Sequence, residues 1–272
     1  MNKKIELGEA EIAYGEWGEG EPPLVLVHGF TGASIDFDDH HEELAASRRV
    51  LSPDNRGHGD STNFGRRDAY TLDLLAADTI AFLEAVAGAD TAPVDLLGHS
   101  MGGMIALRVV LSRPELVRSL VLMDTAAESL GGDGSVPDGV EALVKAVGLL
   151  EMHRKMPQLP ESAAFREQRG EEWVAANQEA RLSRMDPEAF LGLMGEVFGG
   201  PSLVDRLGEI RCPTLVIVGT QDVPFLAPSQ RLAEAIPGAQ LAAIEGAWHS
   251  PQRTHGEEWR RFLLAHLDSV AS

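Results

Sequence analysis

The chain has 272 residues and carries 42 Asp and Glu against 23 Lys and Arg, which gives a formal net charge of −19 and a pI near 4.8. This charge excludes nucleic acid and anionic membrane surfaces as expected partners, and it disfavours anionic substrates unless local positive groups offset it. We therefore expect a small neutral or apolar substrate. The single cysteine, Cys212, excludes an intrachain disulfide and fits a small buried hydrophobic role.

The first residues do not predict a targeting signal. Lys3 and Lys4 have the charge that is typical of the start of a signal peptide, but the acidic residues in the segment 5–9 interrupt any apolar stretch. No later segment is long and apolar enough to span a membrane. We expect a cytoplasmic protein, and the sequence leaves its oligomeric state open.

Short runs rich in apolar and β-branched residues predict eight strands. They lie near residues 4–7, 11–17, 23–28, 49–53, 93–98, 117–123, 213–219 and 240–245. The first two runs predict an antiparallel edge. From the third run onward, helical patterns alternate with the strands, which is typical of a mainly parallel sheet with helices on both faces.

The segment between the third and fourth strands contains acidic and histidine residues. Asp38-Asp39-His40-His41 includes residue types that bind metals, but adjacent residues on one helix point to different faces and do not converge on an ion. We interpret the segment as the solvated start of a helix that runs through Ser47. Asp36, Asp38 and Asp39 fit its N-terminal end, where the helix dipole favours carboxylates.

The strand near 93–98 leads into the pentapeptide Gly98-His99-Ser100-Met101-Gly102, and a helical pattern follows. When a strand turns sharply into a helix around a serine, the serine backbone is strained and a Cβ two residues to either side would clash. Gly98 and Gly102 remove both clashes. This context favours Ser100 as a nucleophile over a simple helix N-cap, which is the other common role of serine at this position.

A long insertion follows the strand near 117–123, because residues 125–213 separate it from the next strand, where a loop and one helix usually suffice. Helical patterns cover Gly139–Met152, Ser162–Gln168, Glu171–Met185 and Pro187–Phe198. We predict a helical cap over residues 125–204 and a core of residues 1–124 and 205–272. The cap is expected to set the substrate pocket. Its methionines either line that pocket or pack against the sheet; they are Met152, Met156, Met185 and Met194.

Two further residues follow strands at the same edge of the predicted sheet. Asp222 lies in the loop after the strand near 213–219, and His249 lies in the loop after the strand near 240–245. A serine hydroxyl needs a base to take its proton and a carboxylate to orient that base. The order Ser100, Asp222, His249 therefore predicts a catalytic triad. Asp124 ends the strand near 117–123 at the same edge and is an alternative acid.

This order, the elbow and the segment His28-Gly29-Phe30 after a strand together resemble the α/β-hydrolase superfamily over nearly the whole chain. The loop 54–61, with the sequence DNRGHGDS, is similar to the D-x-R-G-x-G-x-S loop of many members. The resemblance implies an α/β-hydrolase fold, with an eight-stranded, mostly parallel sheet flanked by helices and a helical cap inserted after the sixth strand. It also favours Asp222, because some members place the acid at the position of Asp124 but the G-x-x-D loop matches the commoner arrangement.

The chemistry of such an enzyme needs donors for the negative charge that develops on the carbonyl oxygen. One donor is the backbone N–H of Met101, at the N-terminus of a helix, and the resemblance implies that the other is the N–H of Phe30. We expect a serine hydrolase that cleaves a carboxylic ester through an acyl-enzyme intermediate. No cofactor and no metal is implied.

Four alternatives stay open at this point, and one of them is a perhydrolase side activity, in which hydrogen peroxide replaces water and no added residue is needed. A lactonase that opens an acyl- or enol-lactone ring uses the same residues, and the sequence does not separate it from an esterase. Carbon–carbon bond hydrolases commonly have Asn at the position of His99, so they rank lower. Outside the enzymes, a hydrolase-like receptor retains the fold and binds a ligand with little turnover.

Overall fold

The computed structural model describes residues 2–87, 93–137, 139–156 and 160–270. Within these ranges, eight strands form one sheet. They are β1 (Asn2–Leu7), β2 (Ala10–Trp17), β3 (Leu24–Val27), β4 (Val50–Pro53), β5 (Val94–His99), β6 (Val117–Met123), β7 (Thr214–Gly219) and β8 (Gln240–Ile244). The predicted strand positions are close to these bounds.

The strands are arranged in the order β1-β2-β4-β3-β5-β6-β7-β8. The β1–β2 and β2–β4 pairs are antiparallel, and every other pair in the sheet is parallel. The mostly parallel sheet and its antiparallel edge are therefore confirmed. Because β5, β6, β7 and β8 lie side by side and run in the same direction, the loops after them meet at one edge of the sheet.

The described chain contains ten α-helices. Six belong to the predicted core: α1 (His41–Ala45), α2 (Leu72–Ala87), α3 (Met101–Ser112), α8 (Val223–Ala235), α9 (Pro251–Thr254) and α10 (Gly256–Val270). Four lie between β6 and β7: α4 (Val140–Lys155), α5 (Pro160–Arg169), α6 (Glu171–Leu182) and α7 (Pro187–Gly199). In the part of the chain that is described, no helix is long and apolar enough to cross a bilayer.

Helices cover both faces of the sheet, because its central strands are apolar on both sides. Val25 and Leu96 point to the face on which α2 and α3 pack. Their neighbours Leu24 and Leu97 point to the other face, where they join a cluster that includes Trp259 of α10. The alternation follows from the two-residue period of a strand and gives each face its own apolar core.

The inserted helices lie within about three residues of the predicted bounds, and α4 is bent within its length. Gly148 has φ 79° and ψ 166°, a backbone conformation that glycine adopts without the steric penalty of other residues. At the start of α7, the carboxylate of Asp186 accepts a hydrogen bond from the N–H of Glu188 and another from the hydroxyl of Tyr70. These bonds cap the helix and join the insertion to the core.

The segment between β3 and β4 differs from the prediction. Ser34–His40 is a 3₁₀ helix, and the α-helix that follows ends at Ala45 and does not continue through Ser47. Asp38 and Asp39 are exposed, but His40 and the residue after it, His41, are buried. The interpretation of this segment as a solvated helix start is therefore wrong for its histidines.

Asp36 shows why the local pattern was misleading. Its side chain is buried, and its carboxylate forms an ion pair of 2.7 Å with the guanidinium of Arg253 in α9. A buried carboxylate needs a partner of opposite charge. Since that partner lies far along the chain, an account based on the helix dipole alone could not identify it, and Asp36 is not a solvated first-turn residue.

Candidate active site

Ser100 lies in a sharp turn between β5 and α3. Its backbone has φ 53° and ψ −119°, which is in the region that non-glycine residues rarely adopt. A Cβ on Gly98 would lie 2.3 Å from the carbonyl oxygen of Gly102, and a Cβ on Gly102 would lie 2.2 Å from that of Val27. The side chain of Ser100 caps no amide of α3. The turn therefore leaves the hydroxyl of Ser100 available to other partners.

The side chains of Ser100, His249 and Asp222 form a hydrogen-bonded chain. His249 Nε2 lies 2.9 Å from Ser100 Oγ, and His249 Nδ1 lies 2.7 Å from Asp222 Oδ2. A carboxylate accepts hydrogen bonds, so the Nδ1–H of His249 donates to Asp222, and Nε2 is left to accept the hydroxyl proton of Ser100. The loops after β5, β7 and β8 thus bring together three residues that are far apart in the sequence.

The charge state of His249 follows from its surroundings. Burial by itself lowers the pKa of the imidazole, but the hydrogen bond to Asp222 and the negative charges of Asp222 and Glu161 raise the pKa above its ordinary value overall. The protonated ring is therefore stabilised where it stands. This is the charge that a base next to a serine acquires when it accepts the hydroxyl proton.

Asp124, the alternative acid, lies behind Asp222. Its Oδ1 accepts the N–H of Gly219 at 2.9 Å, while its Oδ2 is buried without a hydrogen-bond donor around it. Burial and the neighbouring charge of Asp222 raise the pKa of Asp124 well above its ordinary value. The neutral form of the Asp124 carboxyl group is therefore favoured beside the charge of Asp222. The acid that contacts His249 is Asp222.

The two predicted oxyanion donors, Phe30 and Met101, belong to the loop after β3 and to the first position of α3. The N–H of Met101 is at the first position of α3, and Phe30 lines the cavity in front of Ser100. Gly29 packs so closely that a Cβ there would lie 3.1 Å from the Cβ of Ser100. His28 fixes this loop, because its Nδ1–H donates to the carbonyl of Gly29 at 2.8 Å while its Nε2 accepts the N–H of Asn55 at 2.9 Å.

The loop 54–61 supports the neighbouring loops and does not reach the cavity. Asp54 accepts hydrogen bonds from the N–H groups of Ser34 and Asp60 at 2.7 and 3.0 Å. Arg56 makes two hydrogen bonds, of 2.5 and 2.6 Å, to the carboxylate of Asp78. These contacts explain why this sequence pattern identifies the fold and gives no information on the substrate.

His99 has a role that the sequence analysis missed. Burial and the nearby His249 lower the pKa of its imidazole to about 3, so the ring is neutral. Its Nε2–H donates to the backbone carbonyl of His249 at 2.7 Å. His99 therefore holds the loop that carries His249. The sequence shows that His99 precedes Ser100, but it does not indicate the contact of His99 with a loop 150 residues away.

A cavity of about 180 Å³ opens in front of Ser100. Its walls come from the loops at the sheet edge and from α4, α5 and α6 of the insertion. The lining includes charged and amide side chains, among them Glu161, Asn177, Arg181 and Arg253. None of the four methionines in the insertion lines this cavity: Met152 and Met185 are buried in the core, Met194 packs against it, and Met156 is exposed. The packing alternative therefore holds for most of them.

Potential metal ligands converge at one place in the described residues. Carboxylate oxygens of Asp124 and Asp222 and a ring nitrogen of His249 lie within 4.8 Å of one another. In this group, the ring nitrogen of His249 that faces the carboxylates donates its proton to Asp222. The arrangement is accounted for by hydrogen bonds between these groups and does not require an ion.

Comparison with known proteins places the chain in a family. A model of the "Alpha/beta hydrolase family" matches residues 24–262. The chain is 30% identical to the non-heme chloroperoxidase CPO-A1 of Kitasatospora aureofaciens over 281 residues, which cover 95% of this chain and 96% of that protein.

Two solved structures have similar folds and a sequence identity of 25%. A malate-bound thermophilic esterase from Thermogutta terrifontis has a TM-score of 0.82, and both chains are covered completely. Est816, described as an N-acyl homoserine lactone degrading enzyme, has a TM-score of 0.77 with 97% of this chain and 99% of that chain covered. With the family match, the sheet order and the elbow in agreement, the chain belongs to the alpha/beta hydrolase family.

Proposed function

We propose that this hydrolase cleaves small carboxylic esters with Ser100 as the nucleophile, His249 as the general base and Asp222 as the acid that orients it. The observation that carries the proposal is the Ser100–His249–Asp222 hydrogen-bond chain, with distances of 2.9 and 2.7 Å, at the floor of a cavity. Such a chain lets a hydroxyl act as a nucleophile at neutral pH.

In the first half of the reaction, Ser100 Oγ bonds to the ester carbonyl carbon and its proton moves to His249 Nε2. The carbonyl oxygen becomes an oxyanion, to which the N–H groups of Phe30 and Met101 donate. The bond between the carbonyl carbon and the alcohol oxygen then breaks. The protonated His249 gives its proton to the departing alcohol, and the acyl group stays on Ser100.

In the second half, water replaces the alcohol. His249 Nε2 takes a proton from the water as its oxygen bonds to the acyl carbon, and the same two N–H groups stabilise the second oxyanion. The bond to Ser100 Oγ breaks, His249 returns the proton to that oxygen, and the carboxylic acid is released. No cofactor takes part in this scheme.

The insertion is proposed to act as the cap domain, residues 125–204, over a core of residues 1–124 and 205–272. The support is that α4, α5 and α6 supply one side of the cavity that contains Ser100. The cavity is smaller than the roughly 300–1,000 Å³ of sites that hold drug-sized ligands, so we expect short-chain substrates. Cytoplasmic location and the lack of nucleic-acid and membrane partners stay predictions from composition.

A lactonase is the second candidate, because ring opening uses the same attack and Est816 is described as a lactone degrading enzyme. The test is acid release in a pH-stat on linear esters and lactones of matched acyl length, with Ser100→Ala as the blank. Fast multiple turnover of the linear esters supports the esterase. A clear preference for lactones would move the assignment to ring opening, and turnover of neither class above the blank would contradict both.

The activity of the proposed enzyme should rise with pH as His249 loses its proton, because only the neutral ring can accept the proton of Ser100. The groups around His249 are Asp222, Glu161, Asp124 and His99, and the negative ones raise its pKa above the ordinary value of about 6.5. We therefore expect the acidic limb of kcat/KM to have an apparent pKa above about 6.5. The measurement is kcat/KM for p-nitrophenyl acetate between pH 5 and 9.

Removing the charge of Glu161 tests the cause of this shift. Glu161→Gln should move the acidic limb to lower pH, since a negative charge that stabilises the protonated His249 is lost. Glu167→Gln, on the exposed side of the same helix, is the matched control and should leave the limb in place. A profile that does not move in Glu161→Gln would contradict the assignment of Glu161 as a source of the shift.

A further inference from the structure

The cavity contains an arginine whose charge is not used by the proposed reaction. Arg181 lines the cavity together with Ser100, and its Nε makes a single long hydrogen bond of 3.4 Å to the backbone carbonyl of Asn177. No carboxylate of the described residues lies within ion-pair distance of its guanidinium. Burial lowers the pKa of Arg181 to about 10, so the group is partly desolvated and still charged at neutral pH. A desolvated guanidinium without a counter-ion is unfavourable unless a ligand supplies one.

Two carboxylates near Arg181, those of Asp36 and Glu161, line the same cavity without forming an ion pair with it. Asp36 forms its ion pair with Arg253, at 2.7 Å, and Arg253 also donates to the side-chain oxygen of Asn177 at 2.7 Å. Burial by itself raises the pKa of Asp36, but the charges of Arg253 and Arg181 hold it below its ordinary value, so Asp36 carries one negative charge against two positive charges. Glu161 contributes a second negative charge, which acts on Arg181 from beyond ion-pair distance. The formal charges of Asp36, Glu161, Arg181 and Arg253 therefore balance, but among the described carboxylates none is in direct contact with the guanidinium of Arg181.

We propose that Arg181 binds a carboxylate on the acyl part of the substrate, so that the enzyme acts on esters or lactones of short dicarboxylic acids. This inference rests on the proposed function, because it assigns the substrate class of the same site. It replaces the expectation of a neutral substrate. That expectation came from the net charge of the whole chain, whereas the cavity is governed by the charges that line it.

Two features of the cavity favour a carboxylate at this position. The planar guanidinium presents a fork of N–H donors that matches the two oxygens of a carboxylate. The side chains of Asn177 and Gln178, on the same helix α6, add amide groups to the wall beside it. Since Ser100 and Arg181 line one cavity of about 180 Å³, the chain between the carboxylate and the reacting carbonyl must be short.

The kinetic test compares monomethyl glutarate with methyl butyrate in the wild-type enzyme and in Arg181→Gln. We expect wild-type kcat/KM to favour monomethyl glutarate, and we expect the ratio of the two values to fall by about 100-fold in Arg181→Gln, since a buried charge pair is lost. Arg184→Gln is the matched control, because Arg184 is exposed and pairs with Asp60 on the surface, and the ratio should not change there. Arg181→Lys keeps the charge without the fork and should retain part of the preference.

The second test measures binding without turnover. Calorimetric titration of Ser100→Ala with glutarate and with its neutral diamide should show that glutarate binds more tightly, and the double variant Ser100→Ala/Arg181→Gln should lose about 100-fold of the affinity for glutarate. Circular dichroism shows whether both variants are folded. Equal binding of glutarate with and without Arg181 would overturn the inference.

The two tests separate failure of the inference from failure of the proposed function. If the wild-type enzyme hydrolyses both esters and the ratio does not depend on Arg181, the substrate class is wrong and the ester hydrolase stands. If it hydrolyses neither ester nor any lactone above the Ser100→Ala blank, the proposed function is wrong. The titration with glutarate then still decides whether Arg181 binds a carboxylate.

Discussion

Ser100→Ala is expected to lower the turnover of a short-chain ester roughly a million-fold, which is the loss seen when one member of a cooperating triad is removed. His249→Ala should lose about as much, because Ser100 and His249 act as one unit through their 2.9 Å hydrogen bond. For the same reason, the double variant should be no slower than either single variant. The measurement is steady-state kcat for p-nitrophenyl acetate in the three variants.

The surface substitution Ser183→Ala controls for the loss of a hydroxyl at an exposed site and should leave kcat unchanged. Mass spectrometry after mixing with a fluorophosphonate provides a direct readout of the nucleophile, since wild type should gain one adduct on Ser100 and Ser100→Ala should gain none. Additive losses in the double variant, or an adduct on another residue, would contradict the assignment of Ser100 and His249 as a unit.

Asp222 and Asp124 should respond very differently to the same substitution. Asp222→Asn is expected to lower kcat roughly 10⁴-fold, because an amide at this position no longer holds His249 in the tautomer that accepts the proton of Ser100. Asp124→Asn should stay within about tenfold of wild type. The Asn side chain is neutral, which is the form of Asp124 that its surroundings favour, and its oxygen still accepts the N–H of Gly219.

The experiment measures kcat on one ester for both variants, together with Asp68→Asn, an exposed position that pairs with Arg66 on the surface and should behave as wild type. Asp124→Ala extends the test, since it removes the acceptor of the Gly219 N–H behind Asp222 and should be slower than Asp124→Asn. The reverse result, with Asp124→Asn much slower than Asp222→Asn, would make Asp124 the acid of the reaction.

Much of the fold could be predicted from the sequence because its signals are local. Apolar runs such as those of β3 and β5 predict the strands directly. The two glycines around Ser100 predict the sharp turn that follows β5. The loop positions of Asp222 and His249 after their strands were also sufficient to place both residues at one edge of the sheet. Parallel strands share that edge whatever the details of packing.

The side chains that line the cavity could not be predicted in this way, because their positions depend on contacts between distant segments. The pairing of Asp36 with Arg253 spans 217 residues, and the contact between His99 and the loop of His249 spans 150. The helical pattern of α6 identifies a helix but does not indicate that Arg181 faces the cavity. Net charge, which is a sum over the whole surface, gave no information on the sign of the charge beside Ser100.

The backbone conformation of Ser100 lowers the stability of the protein at the position where the proposed reaction needs a serine. Its φ of 53° is a conformation that costs an L-residue of the order of 1–3 kcal/mol and that glycine adopts freely. Selection of variants for heat resistance alone would therefore favour glycine at this site, and the proposed nucleophile would be lost. Directed evolution of a more stable form of this enzyme therefore has to select for turnover in every round, because the serine that is proposed to react has a backbone conformation that lowers stability.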